Sequence, residues 1–139
     1  MVRSFWGFVV VGLVLVAGVS GLRAADKAPA RVFEMRTYYT YPGRLEALHQ
    51  RFRDHTRRIF EKHGMLSVGY WVPQDSPAHE NTLVYIISHA SREQAKANWA
   101  AFQADPEWKK VAEESQKDGK IVEKVNSVFM DATDYSAIK

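Results

Sequence analysis

Along residues 33–39 the side-chain character changes at every step. Phe33, Met35, Thr37 and Tyr39 fall on one face of an extended segment, and Glu34, Arg36 and Tyr38 on the other. This predicts a strand with one charged face. A charged pair in an otherwise apolar strand must be paired or solvated, so that row is expected to line water, a ligand cavity or a subunit seam. Pro42 and Gly43 then turn the chain into a helix predicted to run to about His63. Leu45, Leu48, Phe52, Ile59 and Phe60 recur there at helical spacing, and Gly64 supplies a left-handed stop. The opposite face of this helix carries Arg44, Arg51, Arg53, Arg57 and Arg58 among Glu46, Asp54 and Glu61, and is expected to be solvated with local ion pairs.

Residues 65–72 alternate again, with Leu66, Val68 and Tyr70 against Ser67, Gly69 and Trp71, and Pro73 ends the run. A turn-rich loop over 73–81 leads to a β-branched and aromatic third strand over 82–88, giving a hairpin. Ser91 and Gln94 form a capping box that opens a second helix bearing Ala95, Trp99 and Phe102. That helix is expected to break at Ala104, because Asp105 caps a new helix with Pro106 at its first position and Trp108, Val111, Ala112 and Ser115 inside. Residues 121–130 alternate as a fourth strand. The order strand, helix, strand, strand, broken helix, strand is the ferredoxin-like βαββαβ pattern, an α+β fold whose antiparallel four-stranded sheet carries its helices on one face. An apolar second sheet face would be completed by a homodimer that packs two sheets into a dimeric α+β barrel.

The start of the chain changes the compartment. Arg3, an apolar run from Phe5 to Val19 and small residues around Ala24 and Ala25 form a secretory signal layout, with cleavage expected after Ala24 or Ala25. The division is a signal peptide over 1–24, a short tether over 25–30, the folded domain over 31–130, and a polar tail over 131–139 that could cover an edge strand or a partner. The protein is expected to be exported, periplasmic or secreted, with no stable membrane span after cleavage. The alternative is a membrane tether made by an uncleaved N-terminal segment. Removing Arg3 and Arg23 from the nineteen cations leaves seventeen against sixteen acidic residues, so no global charge recommends nucleic acid or an acidic membrane as a partner. The mature chain, about 115 residues with no cysteine, must be held by burial, helped by a partner subunit.

The ordered set Glu34-x-Arg36-Thr37-Tyr38, Pro42-Gly43, His63-Gly64, Gly69-x-Trp71, Asn81, Arg92 and Asp105-Pro106-x-Trp108 resembles the NIPSNAP domain family of the dimeric α+β barrel superfamily. The resemblance spans essentially the whole mature domain and implies a ferredoxin-like homodimer without a settled activity. Superfamily relatives include cofactor-independent monooxygenases and haem-handling enzymes that place ligands between sheet and helices. One departure is the third strand, where the family often has tryptophan and this chain has Leu83-Val84-Tyr85-Ile86-Ile87.

Candidate chemistry follows from placement. His55, three after Phe52 and four before Ile59, is expected on the inner stripe of the first helix, as a core histidine or a base contacting a ligand. Arg36 and Glu34 are an ion pair or a guanidinium fork for a carboxylate ligand. Tyr38, Tyr70, Trp71, Tyr85, Trp99 and Trp108 build either an aromatic pocket or ordinary packing, and Asn98 stands beside Trp99 as a polar contact. His63, His79 and His89 are read as surface residues. No metal-ligand spacing, phosphate loop or haem-attachment motif is present, and no cofactor is assigned. The expectation is a small-molecule-binding or interaction module. The alternative is a cofactor-independent monooxygenase or isomerase acting on a small aromatic or keto compound with His55, Arg36, Tyr38 and Trp99. Haem binding, with His55 as axial ligand, is a third reading.

Overall fold

The computed structural model describes residues 30–139, so the leader and most of the tether lie outside the described residues. The elements are β1 (Val32–Thr40), α1 (Leu45–Arg51), a π-helical turn (Phe52–Thr56), α2 (Arg57–Lys62), β2 (Leu66–Trp71), α3 (Ala78–Asn81), β3 (Thr82–His89), α4 (Arg92–Ala104), α5 (Pro106–Glu114) and β4 (Val122–Asp131). The sheet order is β2-β3-β1-β4 with every neighbouring pair antiparallel, the ferredoxin-like arrangement. The 73–81 loop differs from expectation only in carrying the one-turn helix α3.

β1 is central, and its even residues face the helices. Glu34, Arg36 and Tyr38 pair across to Ile87, Tyr85 and Leu83 on β3 and to Phe129, Ser127 and Val125 on β4. The core on that side joins Leu48, Phe52, Ile59 and Phe60 of the first helical segment to Leu83, Tyr85 and Ile87 of β3 and Phe102 of α4. Burying side chains of this size contributes about 1.5–3 kcal/mol each. Gly43 (φ +72°) makes the corner into α1, and Gly64 (φ +74°) lets the chain leave α2, as the Pro-Gly and His-Gly pairs predict.

The π-helical turn is where the helical periodicity fails. A widened turn rotates the residues that follow it, so Thr56 rather than His55 takes the buried position, and the Thr56 hydroxyl donates to the Arg51 carbonyl at 3.1 Å. His55 is therefore exposed, which corrects its expected place over the sheet. Arg51, expected on a solvated face, is buried as well: it ends α1 three residues after Leu48, on the flank of the inner stripe.

At the helix break, Asp105 accepts from the Glu107 amide at 2.8 Å, as an N-cap should. It also accepts from Lys62 and His63, each at 2.7 Å, and these donors hold its carboxyl well below the usual range. Ser91 caps α4 by accepting from the Gln94 amide at 3.0 Å. The Gln94 side chain does not complete the box; it donates to Asn98 at 2.8 Å instead.

Among the described residues, no helix lies over the opposite face of the sheet. Leu66, Trp71 and Val128 are 46 %, 51 % and 49 % exposed there. The C-terminal residues fold back across one end of this face, where Ile138 joins Phe33, Val68, Ile86 and Met130 around a space of about 310 Å³. The tail thus lies on the sheet of its own chain.

Candidate functional site

The charged row of β1 lies under α4. Glu34 is 1 % exposed, and its four acceptor sites are filled. Oε1 accepts from Arg36 Nη1 and Ser127 Oγ, each at 2.7 Å, and Oε2 accepts from Trp99 Nε1 at 2.7 Å and His89 Nε2 at 3.0 Å. An ionised carboxylate only accepts, so His89 carries a proton on Nε2. Burial pushes the Glu34 carboxyl up, but the four donors outweigh it and hold it down at about 2. Glu34 is a fixed anion at neutral pH.

This carboxylate positions Arg36. The guanidinium lies 4.2 Å from the Trp99 ring centroid, a cation–π contact, and Arg36 Nε is buried without a hydrogen-bond partner among the described residues. Burial opposes the Arg36 charge, whereas its electrostatic surroundings at Tyr38 and Tyr85 and its bond to Glu34 favour it, and the proton is held more tightly than usual. Above the pair opens a cavity of about 480 Å³ lined by Glu34, Arg36, Arg92, Lys96, Trp99 and Phe129. The Arg92 guanidinium stacks 3.5 Å from the Phe129 ring centroid. Three cations and two aromatic rings therefore face a space whose one lining carboxylate is already saturated.

Among the residues singled out from sequence, Glu34, Arg36 and Trp99 meet at this cavity. Tyr38 is beside them but turns into the core, edge-on to Phe52 and Tyr85 at 6.1 and 5.2 Å. Tyr85 is fully buried, and desolvation keeps its hydroxyl protonated far above the usual range. Asn98 is buried against Gln94 and Gly64. Trp108 packs on Phe102 with centroids 4.4 Å apart, and Trp71 stands on the open sheet face. His55 flanks α5, away from the cavity, so it cannot join Arg36, Tyr38 and Trp99 and offers no axial position between sheet and helices.

His89 corrects another expectation, because it is fully buried behind Glu34 and not a surface residue. Its position at the end of an alternating strand, in phase with Tyr85 and Ile87, was the available signal. Ser127 and Phe129 were in phase on the fourth strand, but their meeting with Glu34 depends on the β1–β4 register. Arg92 and Lys96 share one helical face four residues apart.

The NIPSNAP family profile matches residues 33–137. Among solved structures, a NIPSNAP family protein of unknown function from Agrobacterium tumefaciens superposes with a TM-score of 0.69 at 23% identity, over 81% of this chain and 97% of that one. An uncharacterised NIPSNAP-like domain protein from Burkholderia xenovorans gives 0.67 at 18% identity, over 78% and 90%. A second Agrobacterium tumefaciens NIPSNAP family protein gives 0.68 at 16% identity, over 78% and 99%. At these identities the likeness concerns the fold. No match was found among curated proteins. With its profile match covering most of the chain and its architecture shared with those structures, the chain belongs to the NIPSNAP family.

Proposed function

We propose that the chain is an exported, homodimeric module that binds a small aromatic carboxylate in the cavity over Arg36 and Trp99. The observation that carries this reading is the charge balance: Arg36, Arg92 and Lys96 face the cavity while Glu34 is spent inside the fold on four donors. A carboxylate ligand supplies the missing anion, and Trp99 and Phe129 supply flat surfaces for a ring. Binding is favoured over the oxygenase or isomerase reading by two features. Glu34 is too weak a base and fully engaged, and His89 is sealed behind it.

Calorimetric titration with benzoate and benzamide tests the site. Benzoate is expected to bind and benzamide to bind at least ~tenfold more weakly, with Arg36→Met losing most of the benzoate affinity. Equal affinity for acid and amide would remove the reading.

The exposed apolar sheet face supports the homodimer, since a patch containing Leu66, Trp71 and Val128 is stabilised by an equivalent patch on a second copy. Sedimentation of the mature protein at micromolar concentration is expected to give twice the chain mass, and a monomer would refute the dimer. The intact mass of the exported product reads the cleavage site, expected after Ala24 or Ala25.

A further inference from the structure

A second polar cavity, of about 320 Å³, lies on the far side of the first helical segment, between the π-helical turn and α5. Its charged lining is Arg44, Arg51, Asp54, Glu114 and Asp118, and His55, Gln50 and Ser115 complete its polar wall. Arg51 is the anomaly. It is 7 % exposed, its Nε is buried with no acceptor, and no carboxylate lies within ion-pair distance of it among the described residues. One face of its guanidinium lies over Trp108, 5.4 Å from the ring centroid. That contact serves the plane of the fork, and Nε is left buried without an acceptor while no protein group accepts from the Nη atoms among the described residues.

Arg44 closes one wall. Its Nη2 donates to the carbonyls of Gly119 at 3.0 Å and Ser115 at 3.5 Å, the free carbonyls beyond α5, and its Nε is also buried without an acceptor. Burial weakens the hold of the Arg51 guanidinium on its proton, yet arginine stays charged at any physiological pH. A buried cation without a counter-charge is costly, so the site calls for an anionic group at Arg51. The remaining lining limits what can bring it. Asp54, Glu114 and Asp118 repel a phosphate or any other dianion, and they offer a seat for a cationic nitrogen. α1 buries Arg51 at its last position, and the π-helical turn that follows leaves His55 facing the cavity.

We infer that this cavity is a binding site for a small zwitterion of the amino-acid class, with its carboxylate on the Arg51 fork and its ammonium among Asp54, Glu114 and Asp118. The site is separate from the Arg36 cavity and does not depend on what that cavity binds.

The test follows the side-chain Nε–H resonance of Arg51 by NMR in the full mature protein, which reads this site alone. Glycine and L-glutamine serve as zwitterions, sodium acetate as a bare carboxylate, methylammonium as a bare cation and inorganic phosphate as a dianion. Both amino acids are expected to move the resonance saturably. Acetate, phosphate and methylammonium should each require at least ~tenfold higher concentration. The double variant Asp54→Asn, Glu114→Gln changes two exposed side chains and is expected to fold; it should bring acetate level with glycine. Arg51→Met should weaken glycine at least ~tenfold, read at the backbone amides of the π-helical turn. If Arg51→Met does not fold, the acidic double variant decides. An unmoved Arg51 resonance with both amino acids, or acetate or phosphate binding as well as glycine in the unmodified protein, overturns the inference. So does an unchanged preference for glycine over acetate in the double variant.

Discussion

Glu34→Gln is expected to lower the unfolding free energy by about 3 kcal/mol, although it adds no bulk and changes no exposed surface. The carboxylate is the common acceptor for Arg36, His89, Trp99 and Ser127. An amide keeps one oxygen and turns the other end into a donor aimed at donors. The Arg36 charge then sits close to a buried neutral group without its counter-charge. Glu46→Gln, which touches only the exposed Arg53, serves as the control and should leave stability nearly unchanged.

The same carboxylate sets an acid dependence whose sign is fixed. Its folded value of about 2 lies below the ordinary 4.5, so the folded state favours the ionised form. The stabilisation is complete above the unfolded value and is lost as pH falls from ~5 toward ~2, roughly 3 kcal/mol in all. Urea unfolding between pH 7 and pH 3 should therefore fall more steeply in the unmodified protein than in Glu34→Gln. Parallel pH profiles would show that Glu34 is not the anion described.

Phe60→Ala is expected to cost about 3–5 kcal/mol, the largest loss for a single apolar side chain here. Phe60 is 1 % exposed and is enclosed by four rings. Trp99 meets it edge-on at 5.4 Å and Phe52 at 6.0 Å, with Phe102 and Tyr85 tilted at 5.0 and 6.0 Å. Removing the ring leaves a cavity that stiff aromatic neighbours fill poorly, so most of the cost should persist. Phe60 does not line the Arg36 cavity, yet it backs the Trp99 indole. The variant should therefore also weaken benzoate binding, whereas Trp71→Ala on the open sheet face should leave both the core and that binding intact. Thermal unfolding and calorimetry on the two variants separate these outcomes.

The alternation of residues 33–39 was readable because no bulge interrupts β1 there and a two-residue period needs no partner; in β2 the irregularity between Ser67 and Gly69 breaks the expected alternation and puts Leu66 and Trp71 on one face with Tyr70 on the other. The alternation in β1 also isolated Glu34, Arg36 and Tyr38 as an unusual polar row. What the row touches was not readable locally. Ser127 is 93 positions from Glu34 and meets it only through the register of β1 against β4. His89 looked like a loop residue because it ends its strand, yet it is one step in phase beyond Ile87. His55 differs for another reason: a uniform 3.6-residue period carries it inward, and the π-helical turn that leaves it outside has no clear mark in the sequence. Arg51 precedes that turn and is buried because it stands three residues after Leu48, on the flank of the inner stripe. The Asp105-Pro106 break was legible because capping is chemistry between near neighbours.

A crystal structure of the mature protein grown with benzoate tests most directly whether Glu34 holds Arg36 and Trp99 ready for a carboxylate. The predicted result is a benzoate carboxylate within hydrogen-bond distance of Arg36, its ring against Trp99 or Phe129, with the four bonds to Glu34 unchanged. Benzoate bound elsewhere, or Arg36 leaving Glu34 to bind it, would contradict the account.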